Sequence, residues 1–120
     1  MILIINTIER NKIEVGLFKN NILKCFEFET SAQSEDLLAA IEGILKNAHL
    51  TLKNIKKILV NLGPGSYTGV RVGATVANTL GWILDIGVFG FRDGELEKTL
   101  PKISKNKKSK FSKIVLPYYQ

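Results

Sequence analysis

Eleven residues in the middle of the chain, Gly63-Pro64-Gly65-Ser66-Tyr67-Thr68-Gly69-Val70-Arg71-Val72-Gly73, combine the residue types most often used to hold an anion. Glycines let backbone N–H groups converge, and a helix that starts at such a loop adds the positive partial charge of its first turn. The spacing fits neither general phosphate motif. A dinucleotide fingerprint needs a third glycine where this loop has Thr68, and a P-loop needs Lys then Ser or Thr where Val70 and Arg71 stand. Two readings of Gly63, Gly65, Ser66, Thr68 and Gly69 stay open. They form either an anion site or, more plainly, a turn that lets a helix pack closely.

Other residues with chemistry to offer are few. His49 is the only histidine and stands at an expected helix end beside Leu50, where a capping or surface role is the common one. Ser66 has no His and acid implied as partners and reads as a helix cap. The single Cys25 cannot form an internal disulfide, which points to a reducing, cytoplasmic setting and a small core side chain. A two-metal site needs converging carboxylates at the ends of central strands, and those positions hold Asn6 and Asn61, which add no negative charge. Arg71 near the first turn of a helix opposes the dipole, so an acidic partner is expected for it, within the chain or across an interface. No catalytic residue, metal ligand set or cofactor is expected.

The elements that must position these residues come from one domain's worth of chain, 120 residues with 45% hydrophobic and 23% charged side chains. The longest uncharged stretches, Ile58 to Val70 and Val72 to Leu84, are too short to span a bilayer, which takes about 20 apolar residues. Met1 to Asn6 has no basic leader, so a signal peptide is not expected. The net charge of +6 is unevenly placed. Residues 1–100 balance almost evenly, and the excess sits in Lys102, Lys105, Lys107, Lys108, Lys110 and Lys113. That run reads as a solvated, flexible segment, with Lys105, Lys107, Lys108 and Lys110 as candidate contacts to a nucleic-acid phosphate backbone.

Met1 to Asn6 is an apolar run suited to a central strand. Ile13, Val15 and Leu17 alternate with Glu14, Gly16 and Phe18, Asn20-Asn21 suits a hairpin turn, and Ile22 to Glu29 returns as a third strand. Ser34 is the expected cap of a first helix, with Glu35 and Asp36 in its first turn and Leu37, Ile41, Ile44 and Leu45 at helical spacing. A strand over Ile55 to Leu62, a second helix from Tyr67 to Asp85 and a strand over Gly87 to Phe91 complete a β-β-β-α-β-α-β order. This predicts an α/β fold, a single actin-like or ribonuclease-H-like domain over residues 1–92 with a mixed sheet and packed helices. Residues 93–120 are then a basic tail, with at most one helical turn at Glu95 to Leu100 and a closing strand at Ile114-Val115-Leu116. In the second helix, 100° spacing puts Val72, Val76, Leu80 and Ile83 toward the sheet. Arg71, Ala74, Thr75, Asn78, Gly81, Trp82 and Asp85 then face outward, with no charge between Arg71 and Asp85.

Taken whole, the glycine-rich loop resembles the signature of the TsaB (YeaZ) family, Gly-Pro-Gly-Ser-aromatic-Thr-Gly-hydrophobic-Arg-hydrophobic-Gly. The strand ending in Asn6-Thr7, Ser34-Glu35 followed by Leu37-Leu38, and Leu50 to Leu62 resemble that family's first domain. Asn6 replaces the usual Asp, Gln33 a common His, and the family's second domain is missing. Val115 to Gln120 resembles the family's closing Pro-x-Tyr-x-Arg segment without its Arg. The resemblance implies a non-catalytic subunit that binds a larger actin-like homologue, TsaD. With TsaD and the ATPase TsaE, such a subunit supports threonylcarbamoylation of the adenosine beside the tRNA anticodon. It further implies a helix bundle with the partner, for which Glu35, Leu38, Glu42, Val70, Arg71, Ala74, Thr75, Asn78, Gly81 and Trp82 are the candidate residues. The alternatives are a stand-alone homodimer using the same face, or a small tRNA- or anion-binding module.

Overall fold

Asn20 and Asn21 both adopt positive φ (54° and 61°), the pair of left-handed conformations that a two-residue hairpin turn needs. The computed structural model, which describes residues 1–118, sets this hairpin at one side of a five-stranded sheet. The elements are β1 (Ile2–Asn6), β2 (Lys12–Lys19), β3 (Ile22–Glu29), α1 (Gln33–Asn47), β4 (Lys57–Asn61), α2 (Tyr67–Leu84), β5 (Gly87–Phe91) and α3 (Leu96–Lys105), with a 3-10 turn at Leu52–Asn54. Strand order is β3-β2-β1-β4-β5. The meander pairs antiparallel, while β1 with β4 and β4 with β5 are parallel, as the crossover helices require. The α/β class and the order of the first seven elements are those expected from the sequence.

Alternation along the strands sends Leu3, Ile5, Ile13, Val15, Ile58 and Val60 to the face covered by α1 and α2, where Leu37, Ile41 and Leu45 meet them. Each fully buried side chain of this size contributes ~1.5–3 kcal/mol relative to exposure. The first helix begins differently from expectation. Ala32 is its cap residue, and Ser34 lies inside the first turn without capping it. The Gln33 amide donates to the carbonyls of Glu9 (2.8 Å) and Lys12 (2.7 Å), which fastens the helix start to the β1–β2 turn. Thr30 accepts from the Ala32 N–H and donates to the Asp36 carboxylate. Cys25, expected in the core, is exposed because β3 is the outermost strand and all eight of its residues are exposed.

The opposite face of the sheet carries a second core of Ile2, Ile4, Leu59 and Phe91, and α3 covers it with Leu96, Leu100 and Ile103. Instead of at most one turn followed by a flexible segment, α3 is a ten-residue helix with Pro101 inside it. Its apolar residues recur at i, i+4 and i+7, a stripe that burial stabilises despite the proline. Lys57 Nζ donates to the carbonyls of Ile103 (2.8 Å) and Asn106, satisfying groups that a helix end leaves open. Lys102 and Lys105 thus belong to a helix.

Residues 106–118 lie along the domain without forming the expected closing strand. Val115 exchanges two hydrogen bonds of 2.9 Å with the Asn78 side chain of α2, and the Tyr118 N–H donates to the Leu62 carbonyl at 2.8 Å. The partner of Val115 is therefore a side-chain amide on a helix and not a strand edge. Tyr119 and Gln120, the end of the segment likened to the family's closing motif, lie outside the described residues.

Candidate functional site

The glycine-rich loop occupies the C-terminal end of β4, where the Asn61 side chain, buried at 1% exposure, accepts from the Gly63 N–H (2.9 Å) and donates to Asp93 Oδ1 (3.1 Å). Gly63 has φ of +88°, a conformation that side chains resist. The Ser66 N–H donates to the Ile8 carbonyl (2.8 Å), and the Ser66 hydroxyl caps α2 by accepting from the Gly69 N–H (3.3 Å). A Cβ at Gly69 would stand 2.0 Å from the Thr7 carbonyl oxygen, so only glycine lets the first turn of α2 lie this close to the end of β1. The buried Thr7 hydroxyl completes the joint by donating to the Gly69 carbonyl at 2.6 Å. In this structure the loop packs α2 onto the sheet, and the N–H groups of Gly63, Ser66, Gly69 and Val70 are engaged within the chain.

Asn6, at the neighbouring strand end, is likewise used locally. Its Oδ1 accepts from the Ile8 N–H (3.2 Å) and its amide donates to Glu14 Oε1 (3.3 Å). Glu14 pairs across the sheet with Glu27. Burial, then a hydrogen bond shared with Glu27, push the Glu14 carboxyl above its ordinary pKa. Among the described residues, no group of three or more His, Cys, Asp and Glu side chains converges as a metal site would require.

The second helix is rotated relative to the expected orientation. Val70, Gly73, Ala74, Ala77, Leu80 and Gly81 are the buried side, while Val72 and Val76 are only partly buried and Ile83 is 64% exposed. The reason is steric. A Cβ at Gly81 would meet Val88 Cγ2 at 2.1 Å, so the small-residue stripe is what brings the helix down onto the sheet. Val70, Ala74 and Gly81, expected among the outward interface residues, are therefore withdrawn into the chain's own core. Asn78 is held by Val115.

Glu35, Leu38, Glu42, Thr68, Arg71, Thr75 and Trp82 remain on the surface. Tyr67 (62% exposed) and Ile83 join them, and Trp82 is 72% exposed. Tyr67, Arg71, Thr75, Thr79 and Trp82 follow one another at three- or four-residue steps, a single stripe along the helix. The Arg71 guanidinium lies 5.5 Å over the Tyr67 ring, and both ion pairs found among the described residues belong to Lys12. An acidic partner for Arg71 within the chain was one of two expectations, and the contact found is aromatic. Between the helices, Ser34, Thr68, Arg71, Val72, Thr75 and Val76 line a groove of about 370 Å³. Tyr67 and Ile83 were legible as large apolar residues, but their exposure depends on the helix rotation.

Residues 28–108 match the family model described as TsaD: tRNA N6-adenosine threonylcarbamoyltransferase. Over 51 residues the chain is 45% identical to the tRNA threonylcarbamoyladenosine biosynthesis protein TsaB of Bacillus subtilis, covering 42% of this chain and 22% of that protein. The chain belongs to this family, as a TsaB (YeaZ) member. Proteins of the same description from Buchnera aphidicola and Haemophilus influenzae are each 37% identical, over 54 and 62 residues, covering 45% and 52% of this chain and 26% of each of those proteins. The solved YeaZ of Pseudomonas aeruginosa superposes with a TM-score of 0.72 at 21% identity, covering 86% of this chain and 51% of that one. A second structure, described as an uncharacterized protein with similarity to peptidase YeaZ, has the same TM-score and covers 87% of this chain and 48% of that one. The chain thus spans about half the length of its structural neighbours, and its aligned stretch about a quarter of the curated TsaB relatives. These structural likenesses establish that the chain has the α/β fold of the solved YeaZ structures.

Proposed function

We propose that this chain is a non-catalytic partner subunit in threonylcarbamoyladenosine synthesis on tRNA, acting in the cytoplasm. Its docking surface is the outward side of α2 together with Glu35, Leu38 and Glu42 of α1, and its partner is a TsaD-like large subunit. A TsaE-like ATPase joins the assembled complex, and tRNA is handled by that complex. The observation that carries this reading is the stripe from Tyr67 to Ile83. It exposes two large aromatics and an isoleucine, with no charged residue between Arg71 and Asp85. Aromatic side chains of this kind are the usual anchors of protein interfaces, and a solvated helix face would carry more charge. Membership in the family and the names of the TsaB relatives support the pathway.

Co-expression with the TsaD homologue of the same organism is the direct test. The two proteins are expected to co-purify. Absence of the complex, with both proteins folded, overturns the reading. The same stripe favours a second copy of the chain as the alternative occupant, because a nearly uncharged face meets itself without like-charge repulsion. Concentration-dependent dimerisation in sedimentation experiments would reveal it.

A further inference from the structure

The lysines that the sequence divides between a neutral body and a basic tail come together at one end of the fold. β1, β4 and β5 are parallel and start at the same end of the sheet. There the β2–β3 hairpin presents Lys19 and Lys24, and the start of β4 presents Lys56 and Lys57. Lys57 fastens the C-terminal end of α3 to this edge through the Ile103 and Asn106 carbonyls. The Gly87 N–H, at the start of β5, donates to the Ser109 carbonyl at 3.2 Å, which holds Lys108 at the same edge beside Lys105.

Two concave regions lie in this surface. One, of about 400 Å³, is lined by Lys19, Lys56 and Lys57 with Met1, Asn20, Asn21 and Ser104 among others, and the next, of about 270 Å³, includes Lys19 and Lys24. Neither lining contains a carboxylate. Burial first, and then Lys19, Lys56 and Lys57, lower the pKa of the Met1 amino group, as crowded cations should. The acids gather elsewhere. Glu35 and Asp36 sit at the far end of α1, Asp93 and Glu95 follow β5, and Glu9 lies between β1 and β2, while Asp85 ends α2 near the lysine end and Glu42 lines the adjoining groove with Lys46, Leu50 and Lys53.

We propose that this lysine-bearing end is a docking surface for the phosphate backbone of a folded RNA. Six cations, drawn from β2, β3, the start of β4, α3 and the segment after it, make a surface wider than one phosphate needs. No aromatic platform lines the concave regions beyond Phe18, so the contact is with backbone and not with stacked bases. The choice of RNA among polyanions rests on the tRNA-modification reading above. The concave regions are lined by none of the stripe residues, although α2 descends toward the same end of the fold, and the surface is tested without the partner.

Binding of an unmodified tRNA transcript by the chain alone, measured from 50 to 200 mM salt, is the experiment. Affinity should fall linearly on a log–log plot, with a slope of roughly −0.7 to −0.9 per phosphate contacted. K19E/K56E is expected to lose about tenfold or more in affinity at 100 mM salt and to flatten the slope by about 2, with K105E/K108E behaving similarly. K98E, a single charge reversal in the first half of α3 away from this end, should bind as the unaltered chain does. Circular dichroism confirms that each variant is folded. Three results overturn the proposal: no salt-dependent RNA binding, loss only in K105E/K108E, or preference for phosphatidylserine vesicles over RNA. Loss of RNA binding in K19E/K56E with TsaD co-purification retained supports the surface independently. Failure to co-purify with RNA binding intact counts against the partner reading alone.

Discussion

His49 ends α1 in a left-handed conformation (φ 59°), with its N–H bonded to the Lys46 carbonyl and the Leu50 N–H to that of Leu45. This is the hydrogen-bond pair of a Schellman cap, at a position where glycine is usual. The left-handed conformation costs an L residue about 1–2 kcal/mol, and glycine returns part of that gain through its greater freedom when unfolded. His49→Gly should therefore stabilise the domain by about 0.5–1 kcal/mol, read as a higher denaturation midpoint in urea. Glu14 makes a different prediction. Its folded pKa is raised, so the folded state holds the proton more tightly than the unfolded state, and stability is lost as pH rises from the ordinary carboxylate range through the raised value. Glu14→Gln keeps an acceptor for Asn6 and removes the charge facing Glu27. The variant should melt higher than the parent at pH 7, and the difference should vanish in acid below the ordinary carboxylate range. Equal melting at pH 7 would mean that solvent relieves the pair.

Among the elements, α3 shows how a helix with a proline and three lysines still forms. Its stripe of Leu96, Leu100 and Ile103 closes a core that the sheet's second face would otherwise leave open. Leu100 is 7% exposed, and Leu100→Ala should cost about 2–5 kcal/mol in urea unfolding. If the cost falls below ~1 kcal/mol, α3 is a peripheral element and not part of the cooperative unit. In α2, the stripe of small residues settles which side faces the sheet. Closeness allowed by Gly69, Gly73, Ala77 and Gly81 outweighs the larger area of Val72, Val76 and Ile83, since those three can bury part of their surface against α1 or a partner.

At the scale of the whole molecule, the helix stripe begins in the glycine-rich segment, which supplies Tyr67 and Arg71, and runs down α2 toward the end of the fold that carries the lysines. The stripe predicts that Trp82→Ala lowers affinity for a TsaD-like partner about thirtyfold, the effect of ~2 kcal/mol lost at a buried aromatic. Thr75→Arg should act more strongly by placing a charge where the partner's apolar surface arrives. Both positions are exposed, so the monomer's circular dichroism should not change. Titration calorimetry of each variant against the partner decides, and unchanged affinity in both would place the interface elsewhere. Ala74 is unsuited to such a test, because at 4% exposure an arginine there would disrupt the core first.

From its sequence alone, this chain determines its meander, its crossover order, the Ser66 cap and the family signature. These depend on local quantities: two-residue alternation, the turn chemistry of Asn20-Asn21, and glycine at fixed offsets in one loop. The rotation of α2 was not legible, because its apolar residues lie on more than one side and the deciding contacts, Gly69 with Thr7 and Gly81 with Val88, join residues distant in sequence. Helix α3 was missed because its three apolar residues are too few to stand out against Pro101 and the lysines, and they count only once the sheet offers Ile2, Ile4 and Leu59 to cover. The candidate interface was half readable. Helical spacing supplied Arg71, Thr75 and Trp82, but only the folded sheet could withdraw Val70, Ala74 and Gly81 from it. Of the lysine end, the sequence offered Lys105 and Lys108, while only the folded sheet brings Lys19, Lys24, Lys56 and Lys57 to the same edge.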